Sequence, residues 1–321
     1  MNDKTQTDEN PDEKRQTGKK KAMFWERSDD DSVRCLLCPQ LCNIAEGKTG
    51  LCGARKNCEA SLVASGYGQI SSVALDPIEK KPLYMYFPGT QILSIGSYGC
   101  NLRCPFCQNH EISMPARNDF HSGFNAEAQN SNTAEDENVK EQVSPDNILA
   151  LAVRTIPEGN IGVAYTYNEP FINIEYLLDC AKAVHSIGLK NIVVTNGYIN
   201  TKPLEKALPL IDAMNIDLKG FTESFYKNLG GSLNPVMETI SMAIKYCHVE
   251  ITTLIIPGEN ENDIEELSKW LASLDPNIPL HLSRFFPRFK YADKTPTPRE
   301  TIYKMQDVAK KHLLNVFTGN M

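Results

Sequence analysis

The chain has 321 residues, of which 41% are hydrophobic, and a formal net charge of -7 at pH 7. That length suffices for one large domain of the α/β-barrel type with appendages, since such barrels can run to about 250 residues. The acidic balance argues against a nucleic-acid binder that works by neutralising phosphates. No apolar stretch reaches the roughly 18 residues of a transmembrane helix, and the N-terminus lacks the apolar region of a secretory signal. We therefore expect a cytoplasmic protein.

Two polar segments are predicted to lie outside the folded core. Residues 1–31 are rich in Lys, Asp, Glu, Gln and Asn. Such a segment cannot bury enough apolar surface to offset its ordering entropy, so we expect a disordered tail. Residues 118–142 have the same character and are interpreted as a solvated loop insertion, with a lid as the alternative. Between and after these segments we predict a Cys-rich N-terminal element at 32–84 and a main domain at 85–321.

The N-terminal element carries the first of two cysteine groups. Cys35, Cys38, Cys42 and Cys52 follow a Cys-x2-Cys-x3-Cys-x9-Cys pattern, and Cys58 comes shortly after. Thiols stay reduced in the cytosol, so grouped cysteines there indicate metal or redox use before disulfides. Four soft thiolates can close a structural zinc site or an auxiliary iron–sulfur cluster. The spacing leaves these two metals open, and free thiols in a small β element are the plain alternative.

The second cysteine group lies just after the apolar run Gln91–Ile95. Cys100, Cys104 and Cys107 form a Cys-x3-Cys-x2-Cys loop, which can reach three corners of a [4Fe-4S] cluster that is normally held by four Cys thiolates. The fourth iron would stay open to bind and reduce a chelating small molecule. A zinc knuckle or three free thiols is the alternative, although zinc prefers four ligands and paired Cys-x2-Cys units.

From Ser144 onward the chain alternates helix and strand signals. Ser144-Pro145-Asp146 is an N-cap followed by Pro and an acid, a helix start, and Gly188 marks a helix end. The predicted elements are helix Ile148–Thr155, strand Ile161–Tyr165, helix Ile172–Ile187, strand Asn191–Thr195, helix Pro203–Leu208, strand Ile211–Asp217, helix Pro235–Cys247, strand Val249–Ile256, helix Ile264–Leu274, strand Pro279–Leu282, helix Pro298–His312 and a strand near Asn315–Phe317. This alternation indicates parallel βαβ units. Counted from Gln91–Ile95, about six repeats predict a partial (β/α)6 TIM-like barrel.

Function in such barrels lies at the carboxyl ends of the strands. Polar or Gly-bearing segments follow the predicted strands in succession: Tyr167-Asn168-Glu169-Pro170, Thr195-Asn196-Gly197, Asp217-Leu218-Lys219-Gly220, Ile256-Pro257-Gly258 and His281-Leu282-Ser283-Arg284. Any one of them is ordinary loop chemistry, since loops are usually polar. Together with the cysteine loop they predict a ligand site at this rim. For His281 a structural role and a ligand-facing role both stay open.

The cysteine loop resembles the signature of radical S-adenosylmethionine (radical SAM) enzymes, including the aromatic Phe106 before its last Cys. The resemblance implies a partial barrel, a [4Fe-4S] cluster and S-adenosylmethionine. Glu169 occupies the place of the acid in the Gly-Gly-Glu-Pro segment of many family members, which implies that it accepts from the ammonium of S-adenosylmethionine. Thr195-Asn196 and Asp217 with Lys219 resemble segments of pyruvate formate-lyase activating enzymes, which implies that Asn196 and Lys219 bind carboxylate or ribose oxygens.

Further motifs narrow the resemblance. Cys35-Leu36-Leu37-Cys38-Pro39, the segment from Asp76 to Tyr84, Cys107-Gln108-Asn109 and Ser283-Arg284-Phe285-Phe286-Pro287 are similar to the AmmeMemoRadiSam-system radical SAM enzymes, relatives of the activating enzymes. Gln40 and Met85 stand where that family is expected to carry His. The implied reaction is reductive cleavage of S-adenosylmethionine to a 5'-deoxyadenosyl radical, which abstracts hydrogen from a substrate such as a glycyl-radical enzyme.

This resemblance implies an oxidoreductase-type enzyme with an electron donor such as flavodoxin or ferredoxin and a protein as one kind of substrate. Neither nucleic acid nor membrane is expected as a partner. Two other classes stay in view. An iron–sulfur electron-transfer protein would lack S-adenosylmethionine chemistry, and a zinc-binding interaction protein would leave the rim without a purpose.

Overall fold

A computed structural model of the chain describes residues 20–28, 30–114 and 142–321. Residues 1–19 of the predicted tail and all but the last residue of the predicted insertion at 118–142 lie outside this part. Residues 20–28, 30 and 31 of the predicted tail are described, and they include a strand, contrary to the sequence prediction. A strand at Trp25–Arg27 pairs with residues 33–35, and Lys21 bridges to Val63. The tail prediction was wrong here because this short strand is stabilised by pairing with residues further along the chain.

The strands and helices alternate along most of the chain. The strands are β1 (Trp25–Arg27), β2 (Val33–Cys35), β3 (Asn43–Ile44), β4 (Lys56–Cys58), β5 (Ser61–Val63), β6 (Ser72–Pro77), β7 (Gln91–Gly96), β8 (Asn160–Tyr165), β9 (Lys190–Thr195), β10 (Ala213–Asp217), β11 (His248–Ile255), β12 (Leu280–Arg284) and β13 (Val316–Gly319). The α-helices are α1 (His110–Ser113), α2 (Pro145–Arg154), α3 (Ile174–Ser186), α4 (Thr201–Ala207), α5 (Glu223–Asn228), α6 (Asn234–Ala243), α7 (Ile264–Leu274) and α8 (Arg299–Ala309).

The main sheet has eight strands in the order β13-β12-β11-β10-β9-β8-β7-β6. All neighbours from β7 to β13 are parallel, and β6 is antiparallel to β7. The predicted α/β class and the seven parallel strands of a partial barrel are therefore confirmed. Strand β6 was not predicted. It lies at the edge of the sheet and mixes polar with apolar residues, so the sequence gives it little periodic signal.

Local signals explain several helix ends. The Ser144 side chain accepts from the N–H of Asn147, and the Asn147 side chain accepts in return from the N–H of Ser144, forming a capping box at the start of α2. Gly188 follows α3 with a φ of 78°, the left-handed conformation predicted for it. The short helix α5 was not predicted; Thr222 caps it.

The two faces of the sheet are covered differently. One face packs on the helices through a large apolar core. The other face carries a smaller cluster, in which Ile92, Ile192 and Ala213 contact Ile78 and Leu83 from the segment between β6 and β7. The Asn215 amide also donates to the Pro82 carbonyl at 2.9 Å. This segment therefore fills the inner side of the partial barrel near the amino ends of β9 to β11, an end that we call the floor.

Candidate functional site

The cysteine loop leaves the carboxyl end of β7 and contacts the N-terminal element directly. Gly99 has a φ of 95°, and a Cβ there would lie 2.1 Å from the carbonyl oxygen of Cys52. Only glycine tolerates both conditions. Arg103 donates to the carbonyl of Leu51, and Gln40 donates to the carbonyl of Asn101 at 2.8 Å. The N-terminal element is therefore one wall of the loop, and the position where relatives were expected to carry His serves this contact.

The three thiols of the loop influence one another electrostatically. Burial raises the pKa of Cys104 to about 11; Lys219 opposes this rise and Cys107 adds to it. Burial, with Glu169 and Cys104 nearby, also raises the pKa of Cys100. Its Sγ atom accepts from the N–H of Leu102 at 3.4 Å and from the Asn196 amide at 3.5 Å. A bound metal would deprotonate these thiols outright, and hydrogen bonds to sulfur tune iron–sulfur clusters.

Three neighbouring thiols, of which Cys100 accepts from two N–H donors, fit an iron–sulfur cluster better than an ordinary buried cysteine does. Phe106, the aromatic residue of the motif, is buried and stacks on Phe225 with ring centroids 6.3 Å apart. Across residues 20–28, 30–114 and 142–321, no three His, Cys, Asp or Glu side chains form a group arranged to hold a single metal ion.

Glu169 follows β8 and is buried beside the cysteine loop. Its carboxylate accepts from the Thr195 hydroxyl at 2.8 Å, the Asn196 N–H at 2.8 Å and the Phe171 N–H at 3.0 Å. Burial raises the pKa of Glu169 to about 7, although these donors lower it in part. The Phe171 contact makes Glu169 the N-cap of the 3-10 turn that precedes α3. The residue thus joins the ends of β8 and β9.

Asn196 follows β9 and connects the cysteine loop to its surroundings. Its Nδ2 atom donates to the Asn101 side-chain oxygen at 2.9 Å as well as to Cys100 Sγ, and its Oδ1 atom accepts from the Tyr198 N–H at 2.8 Å. The side chain is buried and all its contacts are to protein groups. In this arrangement Asn196 orients Cys100.

Lys219 and Asp217 form an ion pair after β10, with Nζ and Oδ2 2.8 Å apart. Burial alone would lower the pKa of Lys219, but Asp217 and Cys104 raise it, so the amine is charged. Asn260, in the turn after Ile256-Pro257-Gly258, donates to the Lys219 carbonyl at 2.7 Å. The rim therefore brings this ion pair and the turn together with Cys104.

His281 lies away from this rim, which corrects its placement at the end of the sixth strand. Strand β12 runs from Leu280 to Arg284, so His281 is its second residue and belongs to the floor. Its Nε2 atom lies 2.6 Å from Glu250 Oε2, and the ring packs on Tyr84 and Phe317. The strand continues two residues beyond its predicted end because Ser283 and Arg284 pair with Leu254 and Ile255 of β11.

A polar cluster on the inner side of the sheet was missed by the sequence analysis. Tyr167 has a φ of 71°, and its hydroxyl donates to Asp76 Oδ2 at 2.7 Å. Lys81 is buried, lies 2.9 Å from the same carboxylate oxygen and places its amine 4.5 Å from the centre of the Tyr167 ring. The motif from Asp76 to Tyr84 contained two of these residues, but no local spacing links them to Tyr167.

The N-terminal cysteines meet at one place. The side chains of Cys35, Cys38, Cys42 and Cys52 line a single pocket, which we call the thiol pocket. Arg55 and Asn101 also line it. Cys58, in β4, is not among the lining residues. Burial raises the pKa of Cys38 to about 12 and that of Cys52 to about 11, and the neighbouring thiols contribute to both rises.

A family model described as the radical SAM superfamily matches residues 94–271, more than half of the chain. The chain belongs to the radical SAM superfamily. Membership assigns to it an iron–sulfur cluster, S-adenosylmethionine and radical chemistry, as the cysteine loop predicted. The matched span begins in β7 and ends in α7, so it includes the cysteine loop and the rim segments after β8, β9, β10 and β11.

Several known proteins are similar to this chain. An uncharacterized protein of Methanocaldococcus jannaschii, MJ0808, is 39% identical over 308 residues, which cover 94% of this chain and 85% of that protein. A domain of pyruvate-formate lyase-activating enzyme from Bacteroides vulgatus is 19% identical, with a TM-score of 0.44, and covers 50% of this chain and 99% of that one. Streptococcus suis SuiB bound to S-adenosylmethionine is 14% identical, with a TM-score of 0.49, and covers 70% and 48%. No helix in the described part of this radical SAM protein is long and apolar enough to cross a membrane.

Proposed function

We propose that Cys100, Cys104 and Cys107 hold the [4Fe-4S] cluster of this radical SAM enzyme. When bound, such a cluster reduces S-adenosylmethionine and yields methionine and a 5'-deoxyadenosyl radical for hydrogen abstraction. The observation that carries the proposal is the convergence of the three thiols with Glu169, Asn196 and Lys219 at one end of the sheet, where each affects or contacts a loop cysteine.

Glu169 is proposed to accept from the ammonium of S-adenosylmethionine. Both carboxylate oxygens already accept from protein donors, but a carboxylate offers about four acceptor sites. No cation contacts Glu169 in the described part of the chain, and its pKa is raised to about 7. An ammonium ion would supply the positive charge that this buried acid lacks.

Lys219 with Asp217 is proposed to face the carboxylate or ribose oxygens of the same ligand, and Asn196 is proposed to support that binding through Cys100. Lys219 is charged and lies beside Cys104, which suits a carboxylate bound next to the cluster. Asn196 is committed to Cys100 and Asn101, so its support for binding is the orientation of Cys100. The protein side of the reaction is thus positioning and exclusion of water.

The substrate proposal rests on the resemblance to the AmmeMemoRadiSam-system enzymes and the pyruvate formate-lyase activating enzymes. It makes the backbone of a glycyl-radical enzyme the first substrate to test, with a flavodoxin or ferredoxin as electron donor. The proposed division into an N-terminal element at 32–84 and a barrel at 85–321 places β6 in the N-terminal element, although β6 pairs with β7 in the main sheet, so the two parts form one folded unit.

The test is anaerobic reconstitution of the full chain with iron and sulfide, followed by dithionite and S-adenosylmethionine. The proposal expects about four iron atoms per chain at the loop and formation of 5'-deoxyadenosine. An iron–sulfur protein that forms no 5'-deoxyadenosine would be an electron carrier, and a chain that retains only zinc would be an interaction protein. Either result would refute the proposal.

A further inference from the structure

Four of the five N-terminal cysteines line the thiol pocket. Cys58 lies only six residues from Cys52 in the sequence but does not line the pocket, whereas Cys35, 17 residues before Cys52, does. The fold thus groups the first four cysteines of the chain in one pocket, and the fifth does not line it. All of them are free thiols, and four grouped thiolates are the usual ligand set of structural zinc and of iron–sulfur clusters.

Arg55 provides an independent observation in the wall of this pocket. Its side chain is 1% exposed. The two terminal nitrogens are occupied, since both lie 3.1 Å from carboxylate oxygens of Glu175 and one also donates to the Met23 carbonyl. Its Nε–H is buried and has no hydrogen-bond partner in the described part of the chain. A buried donor without a partner costs about 1–3 kcal/mol.

The charge of Arg55 matches what a thiolate centre needs. Four thiolates with a divalent metal, or with an oxidised [4Fe-4S] cluster, carry a net charge of about -2 in a buried place. Arg55 acts electrostatically on Cys35 and Cys52, and they act on it in return. A guanidinium fixed by Glu175 can therefore offset part of this charge and donate its remaining N–H to a thiolate sulfur.

We infer that the thiol pocket holds an iron–sulfur cluster bound by its four cysteines, and that Arg55 is the positioning residue that donates to it. The centre lies against the cysteine loop, because Asn101 lines the thiol pocket and accepts from Asn196, which also donates to Cys100. This inference goes beyond the proposed function and does not depend on it.

The first experiment separates the two sites. The variant Cys100→Ala/Cys104→Ala/Cys107→Ala cannot form the proposed catalytic cluster, so metal bound after anaerobic purification is attributed to the thiol pocket. We expect about four iron atoms per chain, since no three thiols of the described residues are arranged around a single metal ion. Adding Cys35→Ala and Cys38→Ala should remove this metal, and adding Cys58→Ala instead should leave it. A metal-free triple variant, or metal that survives the loss of Cys35 and Cys38, would overturn the inference.

A measurement on the unaltered chain covers the case in which those variants do not fold. Cysteine alkylation read by mass spectrometry should label Cys58 and leave the four pocket thiols protected until a chelator is added. Equal labelling of Cys58 and the pocket thiols before chelation would contradict a metal centre. This readout involves no S-adenosylmethionine cleavage, so a failure of the proposed function would not affect it.

The role of Arg55 is tested by Arg55→Lys, which keeps a cation for Glu175 but lacks the guanidinium fork. Loss of a group that supports metal ligands typically costs about 10- to 100-fold in affinity, so metal should pass to a chelator at least about tenfold faster. Arg34→Lys is the matched control, because Arg34 precedes Cys35 on β2 and is exposed. Equal release from the two variants would show that Arg55 only pairs with Glu175.

Discussion

Two buried glutamates at opposite ends of the sheet show how differently the fold treats the same side chain. Burial raises the pKa of Glu169, at the rim, to about 7. Burial would also raise the pKa of Glu250, at the floor, but His248, His281 and the Met85 N–H lower it to about 2. Glu250 contacts two imidazole rings and two backbone N–H groups.

The difference lies in what each carboxylate contacts. Glu250 is surrounded by hydrogen-bond partners from three separate segments, and both of its carboxylate oxygens are paired with protein groups. Glu169 accepts from a hydroxyl and two N–H groups, and no ring nitrogen or amine of the described residues contacts it. A buried acid that the protein leaves without a cation is the one expected to receive a charged ligand, whereas the other is expected to stabilise the fold.

The largest expected effect concerns the cluster that gives the rim its chemistry. Cys104→Ala removes one of the three proposed ligands and should abolish both the brown iron–sulfur chromophore and 5'-deoxyadenosine formation. Anaerobic absorption spectra and product chromatography check this. Cys247→Ala is the control, since Cys247 lies between α6 and β11, where its thiol donates to the Ala243 carbonyl, and it is not one of the proposed ligands. Full cleavage by Cys104→Ala would show that the loop assignment is wrong.

Glu250→Gln should reduce the stability of the fold without changing ligand binding. The Gln amide would place its NH2 group next to N–H groups from which the Glu250 carboxylate accepts hydrogen bonds. Breaking such a buried network costs about 3–5 kcal/mol of folding free energy. Denaturant unfolding of the metal-free chain measures the loss. Affinity for S-adenosylmethionine in the reconstituted protein should equal that of the parent. A large drop in affinity would mean that the floor takes part in the site.

Glu169→Gln should weaken the binding of S-adenosylmethionine, in contrast to Glu250→Gln. A charge-assisted hydrogen bond contributes about 1.5–3 kcal/mol, so binding of S-adenosylmethionine should weaken by roughly 10- to 150-fold while the cluster still forms. Titration of the reduced cluster, followed by its EPR signal, gives the affinity. Unchanged affinity with a lowered melting temperature would instead identify Glu169 as a helix cap, worth about 1 kcal/mol.

The pH dependence of stability should separate the two acids with opposite signs. Glu250 binds its proton at a lower pH in the folded state than its ordinary 4.5, so its contribution is present above pH 4.5 and is lost as the pH falls towards about 2. Glu169 keeps its proton up to about pH 7 when folded, so the parent should lose stability as the pH rises from about 4.5 to 7.

The measurement is the unfolding free energy of the metal-free parent and of both Gln variants across this range. The advantage of the parent over Glu250→Gln should shrink in acid, and Glu169→Gln should gain on the parent towards pH 7. Parallel curves for all three proteins would mean that neither carboxylate titrates differently in the folded state.

Local signals predicted the parts of this molecule that depend on neighbouring residues. The helix Ile264–Leu274 was predicted with its observed bounds, and the N-cap at Ser144 with the Pro and acid after it marked the start of α2, because apolar periodicity and caps are local. The cysteine loop was identified for the same reason, since its ligands lie within eight residues.

The features that the sequence did not predict depend on contacts between residues far apart in the chain. Strand β6 exists because it pairs with β7, and His281 faces Glu250, which is 31 residues away in the sequence. The contact between Tyr167 and Asp76 spans 91 residues. No spacing rule reaches that far. The same limit applies to Arg55, whose importance depends on Glu175 and on a pocket formed by distant cysteines.

The close contact at Gly99 limits how the chain can be divided into fragments. The Cys52 carbonyl occupies the space where a side chain at position 99 would lie. The N-terminal element and the cysteine loop are therefore in direct contact at this point. A fragment that starts at Met85 would lack this contact and would also lose the six residues of β6 that pair with β7. The predicted boundary at residue 84 therefore does not separate two independent folding units, and reconstitution should use a chain that retains Cys52 and β6.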